Sequence, residues 1–265
     1  MSALTFRLRE RPPERLDLSA LVPQRLSGLS PSQIARIPIG TTRRPLVVGE
    51  VFELSGDDPD DICFLGGSDR LDGVATDLSR GRILVEGDVG QRLAFGMRGG
   101  DVRIAGSAGP FAASGALGGT ITIDGSAGEC AGGAVYGAMY GLSGATLVIK
   151  GTAGARLGDR MRRGLIVANE AGDEAACRMI AGTIVTRRVG DNPGYGMRRG
   201  TLLVGAHGRL LPSFVPTGRH RFVMLRLLRR ELARLGQGDL VPDAVDRHAG
   251  DVATLGKGEI LVALS

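Results

Sequence analysis

Tryptophan is absent from this 265-residue chain, and tyrosine, cysteine and histidine each occur only three times. Each scarcity closes off a class of function. Cys63, Cys130 and Cys177 are odd in number and show no CxxC spacing, which argues against a disulfide framework and against a zinc site. His207, His220 and His248 are scattered, with no HxH, HExxH or Cys–His arrangement to hold a metal. No GxSxG elbow occurs, and the many GxG pieces do not join a strand to a helix as a phosphate loop requires. The chain is therefore expected to carry no catalytic residue, metal or cofactor of its own. Long apolar runs are missing too, and the opening MSALTFRLRE lacks the plan of a signal peptide, so the expected location is the cytoplasm, away from membranes.

What the chain has in excess is glycine, 43 residues of it, and the glycines are periodic. One series ends each small-x-Gly turn: Gly90, Gly109, Gly128, Gly154, Gly172, Gly190 and Gly208, at gaps of 19, 19, 26, 18, 18 and 18 residues. A second series, Gly81, Gly100, Gly119, Gly144, Gly164, Gly182 and Gly200, opens each short β-forming segment, fading at Gly218. Segments such as RILVEG, DVRIAG and TITIDG alternate aliphatic and polar residues as half-buried strands do. A period near 18 residues is too short for paired helices, and a repeat that cannot bury a face alone must stack on its neighbours. The expected class is all-β: a parallel β-solenoid whose corners require glycine for positive φ or for close approach of one repeat to the next. Asp88, Asp124 and Glu170 share no phase, which excludes a calcium-binding roll, and the corner spacing does not fit a left-handed hexapeptide helix. A right-handed parallel β-helix with three unequal sides fits.

Three parts follow. Residues 1–45 are irregular apart from a short helix in LSPSQIARIPI, with Ser30 as N-cap, Pro31 at its first position, Gln33 closing a capping box and Pro38 ending it. Residues 46–218 form the β-helix. Its first strands are PLVVGEVFELSG and ICFLGG, around an exposed DDPDD turn. Residues 219–265 complete the same domain with an amphipathic helix starting near Thr217, whose Leu225, Leu228, Leu232 and Leu235 form one stripe, and a returning strand in GKGEILV. The helix is basic, but the chain lacks aromatic stacking residues and any recognition motif, so no nucleic-acid role is expected.

Two side-chain series ride on the repeat. Met97, Met161, Met179 and Met197 each stand three residues before a strand-opening glycine, a phase at which flexible thioethers fill a core stack. Arg98, Arg162 and Arg198 each follow one of these methionines, and Arg163 and Arg199 extend two of the sites, with Ile180 interrupting the row. Residues two repeats apart stand about 9.6 Å apart, a separation at which an extended polyanion could engage both. Arginine dominates the cations, 31 against Lys150 and Lys257 alone.

The stretches ILVEGDVGQRLAFGMRGGDVRIAGSAG and IDGSAGECAGGAVYGAMYGLSGATLVIKGTAGARLGDRMRRGLIVANEAGDEAACRMIAGTIV resemble the glycine-rich repeat domain shared by glutamate synthases and the C subunit of formylmethanofuran dehydrogenase. The enlarged repeat AGGAVYGAMYGLSGA, the entry segment LSPSQIARIPI and the terminal GKGEILV are similar to the C-subunit branch. Where the glutamate synthase domain has His-Gly-Cys-Glu-Tyr-Met, residues 174–179 read EAACRM, without the histidine. The resemblance implies a non-catalytic scaffold, the C subunit of a formyltransferase/hydrolase complex of one-carbon metabolism. That complex moves a formyl group from tetrahydromethanopterin to methylofuran and hydrolyses it to formate. The implied partners are a metal-dependent, amidohydrolase-like A subunit, the B subunit and the formyltransferase D subunit, with methylofuran and the metal held by those partners. The alternatives are the C subunit of a molybdenum or tungsten formylmethanofuran dehydrogenase, acting on methanofuran, and a glutamate-synthase-like relay domain. Furan cofactors carry glutamate-rich tails, which makes Arg98, Arg162, Arg163, Arg198 and Arg199 candidate tail contacts.

Overall fold

The computed structural model describes residues 2–264. Among them fifteen strands and four α-helices follow one another. The first third holds β1 (Ala3–Leu8), β2 (Leu16–Asp17), α1 (Pro23–Leu26), α2 (Pro31–Ile34), α3 (Val48–Val51), β3 (Phe52–Ser55), β4 (Asp58–Leu65) and β5 (Leu71–Asp72). The repeats supply β6 (Arg82–Glu86), β7 (Asp101–Ile104), β8 (Thr120–Ile123), β9 (Ser143–Ala153), β10 (Arg163–Ala171), β11 (Thr183–Val189) and β12 (Arg199–His207). The chain then adds β13 (Val215–His220), α4 (Val223–Arg234), β14 (Val245–Gly250) and β15 (Lys257–Ala263). Thirteen strands form one mixed sheet in the order β13-β14-β15-β12-β11-β10-β9-β8-β7-β6-β4-β1-β3. From β4 through β12 to β15 every neighbour is parallel, while β3, β13 and β14 are antiparallel additions at the two ends. Among the described residues no helix is long and apolar enough to cross a membrane.

The register explains the period. Ile62, Ile83, Val102, Ile121, Leu147, Ile166, Ile184, Leu202 and Ile260 are consecutive Cα partners across nine strands, and all are buried. Each repeat is thus one rung of a continuous aliphatic core. Phe6, Phe52 and Phe64 close one end of that core, with the Phe6 and Phe64 rings stacked at 4.9 Å. All four methionines of the series are buried as expected. Gly182, at φ +112°, shows why a glycine follows: a Cβ there would lie 2.7 Å from the Met161 methyl of the preceding rung. Gly128 is needed for a different reason. Its backbone is ordinary, but a Cβ would lie 2.7 Å from the Pro110 nitrogen one rung away.

The corners are less glycine-dependent than the sequence suggests. Residues such as Arg92, Ala94, Phe111, Ala113 and Cys130 occupy left-handed φ near +60°, a conformation that costs a non-glycine residue about 1 kcal/mol. Inter-rung hydrogen bonds offset that cost. Phe111 N donates to Glu129 O of the following rung at 2.9 Å, and Ala113 N to Leu93 O of the preceding one at 2.7 Å. Nearby, side chains continue the ladder: Asp88 accepts from Ser107 N, Ser107 Oγ from Ser126 N, and Ser126 Oγ from Thr152 N.

The capping box of α2 is present, with Ser30 Oγ accepting from Gln33 N and Gln33 Oε1 accepting from Ser30 N. Four local readings are corrected. Residues 1–45 are not irregular apart from α2: Ala3–Leu8 is β1, drawn into the main sheet beside β4 and β3 with Leu4 and Phe6 in the core, and Pro23–Leu26 is α1. DDPDD is not a loop: residues 58–61 open β4, because Arg80 and Arg82 of the next rung neutralise Asp60 and Asp61. VGEV, read as strand, is the helical turn α3, with Glu50 Oε2 accepting from Val47 N. The amphipathic helix starts at Val223, not near Thr217, because Val215–His220 is drawn into the sheet as the edge strand β13 against β14.

The helix α4 lies on the outside of the sheet. Leu225 and Leu232 are buried with Val167, Val185, Leu203 and Leu261, which point away from the core on β10, β11, β12 and β15. Arg229 fixes the far side by donating to Val241 O and Asp243 Oδ1, both at 2.8 Å. The returning strand β15 pairs in parallel with β12, as the sequence predicts.

Candidate functional site at the enlarged repeat

The 26-residue step is an outward loop on an intact corner. In an ordinary rung Met161 N donates to Gly158 O at 2.9 Å; here Leu142 N donates to Gly132 O at 2.8 Å, so the same bond closes beneath residues 133–141. The loop is clamped from both sides. Ala134 N donates to Asp159 O and Gly141 N to Arg160 O, each at 3.0 Å. Arg160 Nη1 reaches Ala138 O at 2.9 Å. The Tyr136 ring meets Phe111 of the preceding rung edge-on at 5.5 Å, and the Arg162 guanidinium lies 4.8 Å over the Tyr140 ring.

Asp159 is the anchor under this loop. Its carboxylate is almost fully buried and accepts from Arg156 Nη2 at 2.8 Å and Arg178 Nε at 2.9 Å. The hydrogen bond to Asp159 holds the Arg178 guanidinium above its ordinary value. Beside it, burial and then the Asp159 charge push the Cys177 thiol up to about 12, so it stays protonated at neutral pH and has no nucleophilic character.

Next to the loop runs a groove of about 770 Å³, lined by Tyr140, Arg162, Arg178, Tyr195, Arg198 and the Asp251–Thr254 turn among others. Among the described residues neither Arg162 nor Arg198 forms an ion pair. Asp251, the carboxylate at the end of the groove, is buried and already accepts from Gly196 N at 3.0 Å and Ala253 N at 2.9 Å. The groove therefore presents uncompensated guanidinium groups beside aromatic faces, a surface suited to carboxylates and unsuited to cations.

The structure brings together two of the five candidate arginines. Arg162 and Arg198 share the groove. Arg98 lies on the same row but three rungs from Arg162, beyond Leu117 and Ser143, as the hydrogen bonds from Leu117 N, Ser143 N and Arg162 N to successive rungs show. Arg163 and Arg199 are exposed first residues of β10 and β12 and do not line the groove. Sequence reasoning missed Arg160, Arg178 and all three tyrosines. The signal was available: every tyrosine of the chain falls in the enlarged repeat or three rungs later, at Tyr136, Tyr140 and Tyr195.

The stacked rungs, corner glycines and outward loop define a glycine-rich strand-repeat protein with a basic, aromatic groove. No family model matches the sequence. It is 58% identical over 261 residues to the C subunit of the formyltransferase/hydrolase complex Fhc of Methylorubrum extorquens, covering 97% of this chain and 98% of that protein. Its structure superposes with a TM-score of 0.95 and 56% identity on a chain in the crystal structure of the formyltransferase/hydrolase complex FhcABCD from Methylorubrum extorquens in complex with methylofuran. That match covers 98% of this chain and 100% of that one. The chain belongs to the family of C subunits of formyltransferase/hydrolase complexes.

Proposed function

We propose that the chain is the non-catalytic structural subunit of a formyltransferase/hydrolase complex, wound as a right-handed parallel β-helix. The observation that carries this reading is the 58% identity running through nearly the whole of both sequences. Two features support the right hand: parallel crossover connections in general prefer it, and the corner spacing does not fit the left-handed hexapeptide helix. In this reading an amidohydrolase-like A subunit, the B subunit and the formyltransferase D subunit assemble on the rungs. Together they pass a formyl group from tetrahydromethanopterin to methylofuran and release formate. The metal and methylofuran are held by those partners, and this chain contributes position. Among the described residues no group of three or more His, Cys, Asp or Glu side chains is placed to hold a metal.

The test is to co-express the four subunits with and without this chain. The expected result is that the other subunits fail to co-purify in its absence, while the purified chain alone neither transfers nor hydrolyses formyl groups. Formyl hydrolysis by the isolated chain, or full assembly without it, overturns the reading.

A further inference from the structure

Of the eleven large apolar side chains left exposed among the described residues, Leu29, Val215, Val223 and Leu227 lie elsewhere, and the other seven gather at the enlarged repeat, its groove and its row. Met139, Tyr140 and Tyr195 line the arginine groove, Leu117 stands on the row of Arg98 and Arg162, and Val252 and Leu255 belong to the turn that closes the groove's far end. Stability does not account for them, since a solvated loop gains nothing from exposing Met139 at 69% of its surface. Nor are they loose: the loop is held by Asp159 and Arg160, and Tyr140 lies under a guanidinium. Rigid tyrosines, methionine and arginine around a concavity are the composition of an interface centre, and their fixed geometry keeps the ordering cost of binding low.

We infer that this groove is the docking site for an extended acidic segment of another member of the complex, an inference that rests on the reading of the chain as a structural subunit. Charge selects the occupant. Arg162 and Arg198 form no ion pair among the described residues, and buried Asp251 is engaged by the Gly196 and Ala253 N–H groups rather than by either guanidinium, so the carboxylate this surface suits is one supplied from outside the chain. Size fits as well. The groove runs from the rung of Tyr140 to that of Asp251, four strand spacings or about 19 Å, the length of about six extended residues.

A glutamate-rich cofactor tail is the competing occupant, and two features favour a protein segment over it. On the rung between Arg162 and Arg198 the groove carries Ile180 and Arg178, and Arg178 is already held by Asp159, so no unpaired cation stands there; Leu117 and Ser143 occupy the row between Arg98 and Arg162. The apolar rim, moreover, offers a purely anionic chain nothing to contact. A segment with acidic residues set among apolar ones uses both halves of the surface.

The experiment co-expresses the four subunits with an affinity tag on this chain, carrying Arg162→Glu with Arg198→Glu. Arg209→Glu, an exposed charge reversal elsewhere, is the control. Retention of at least one partner is expected to fall ten-fold or more in the double variant and to be unchanged in the control. The tagged chain's melting temperature should be unchanged in both. In a second arm, which keeps both arginines, a photo-crosslinking residue replaces Tyr195. It is expected to label a partner segment containing Asp or Glu beside apolar residues. Unchanged retention in the double variant, with only the KM for long-tailed methylofuran raised, assigns the groove to the cofactor tail and overturns the inference. A crosslinked segment without carboxylates also overturns it. If the unaltered chain retains no partner, the structural-subunit reading falls first; if it retains all partners and the double variant does too, only the docking site falls.

Discussion

Two halves of one sheet share one aliphatic inside and differ in what covers their outside. Along the outward row of rungs, Cα partners run Cys63, Leu84, Arg103 and Thr122 on β4, β6, β7 and β8, then Val148, Val167, Val185, Leu203 and Leu261 on β9 to β12 and β15. The first half meets solvent through ion pairs: Arg82 with Asp61 at 2.6 Å, and Asp124 shared by Arg103 at 2.9 Å and Lys150 at 2.7 Å. Its aliphatic continuation from Val167 to Leu261 lies under α4. Exposed pairs of this kind contribute about 0–1 kcal/mol each, whereas burying one leucine contributes about 2 kcal/mol. The rungs therefore set the register from within, and the outward row alone decides whether a stretch of sheet stays open or gains a cover.

The strongest way to break this comparison is to place the same charge beneath the cover and on the open face. Leu232→Asp sets a carboxylate among Val185, Leu203 and Leu261 with no partner, and is expected to cost about 4 kcal/mol in urea unfolding. Thr122→Asp, on the open half, is expected to change stability by less than about 1 kcal/mol. Similar costs at the two sites would erase the distinction between covered and open faces.

Next in size is a test of the shared inside. Gly128 and Gly172 occupy the same corner in the two halves, and a Cβ would lie 2.7 Å from Pro110 N in one and 2.9 Å from Ala155 N in the other. Gly128→Val and Gly172→Val are each expected to cost about 3 kcal/mol. Gly236→Val, where φ is +71° but no heavy atom lies within 4 Å, should cost about 1 kcal/mol, from backbone conformation alone. Tolerance at Gly128 with intolerance at Gly172 would show that the halves do not share one spine.

The smallest effect is the pH dependence that Asp124 gives the open half. Burial works to raise the Asp124 carboxyl, but Lys150 and Arg103 outweigh it and hold the group below its ordinary value. The folded state thus keeps Asp124 ionised where the unfolded chain would protonate it. Its contribution is complete above about pH 3.8 and disappears as pH falls through the lowered folded value. Asp124→Asn should flatten that part of an acid titration of stability, and Leu225→Ala should leave its shape unchanged.

The period, the buried methionines and the returning strand were legible because they depend on single residue types recurring at a fixed phase. A glycine under a methionine methyl, as at Gly182, is specified by the identity of two residues 21 apart. The left-handed alanines and Phe111 were not legible, because inter-rung hydrogen bonds offset their conformational cost and no side chain announces it. The capping box of Ser30 and Gln33 was read correctly from local chemistry. The extent of α4 was not, because the pairing of Val215–His220 with β14 overrides the helical pattern ahead of Val223. For the site, an arginine phase was visible, but Arg160, Arg178 and the tyrosines join it only through the outward loop, and a fixed period cannot show where an insertion folds back.

The surviving bond between Leu142 N and Gly132 O makes the enlarged repeat an insertion port. Nine residues, 133–141, stand where the next rung has two, 159 and 160, and the strands on either side keep their pairing. Lengthening a loop whose ends are already joined costs little, about 0.6 kcal/mol for each doubling. A foreign segment spliced between Gly132 and Leu142 would be displayed at a fixed height on the outside of the spine. The fold thus serves as a graduated rail, on which a recognition element of another length or specificity can be mounted without retuning the rungs above and below.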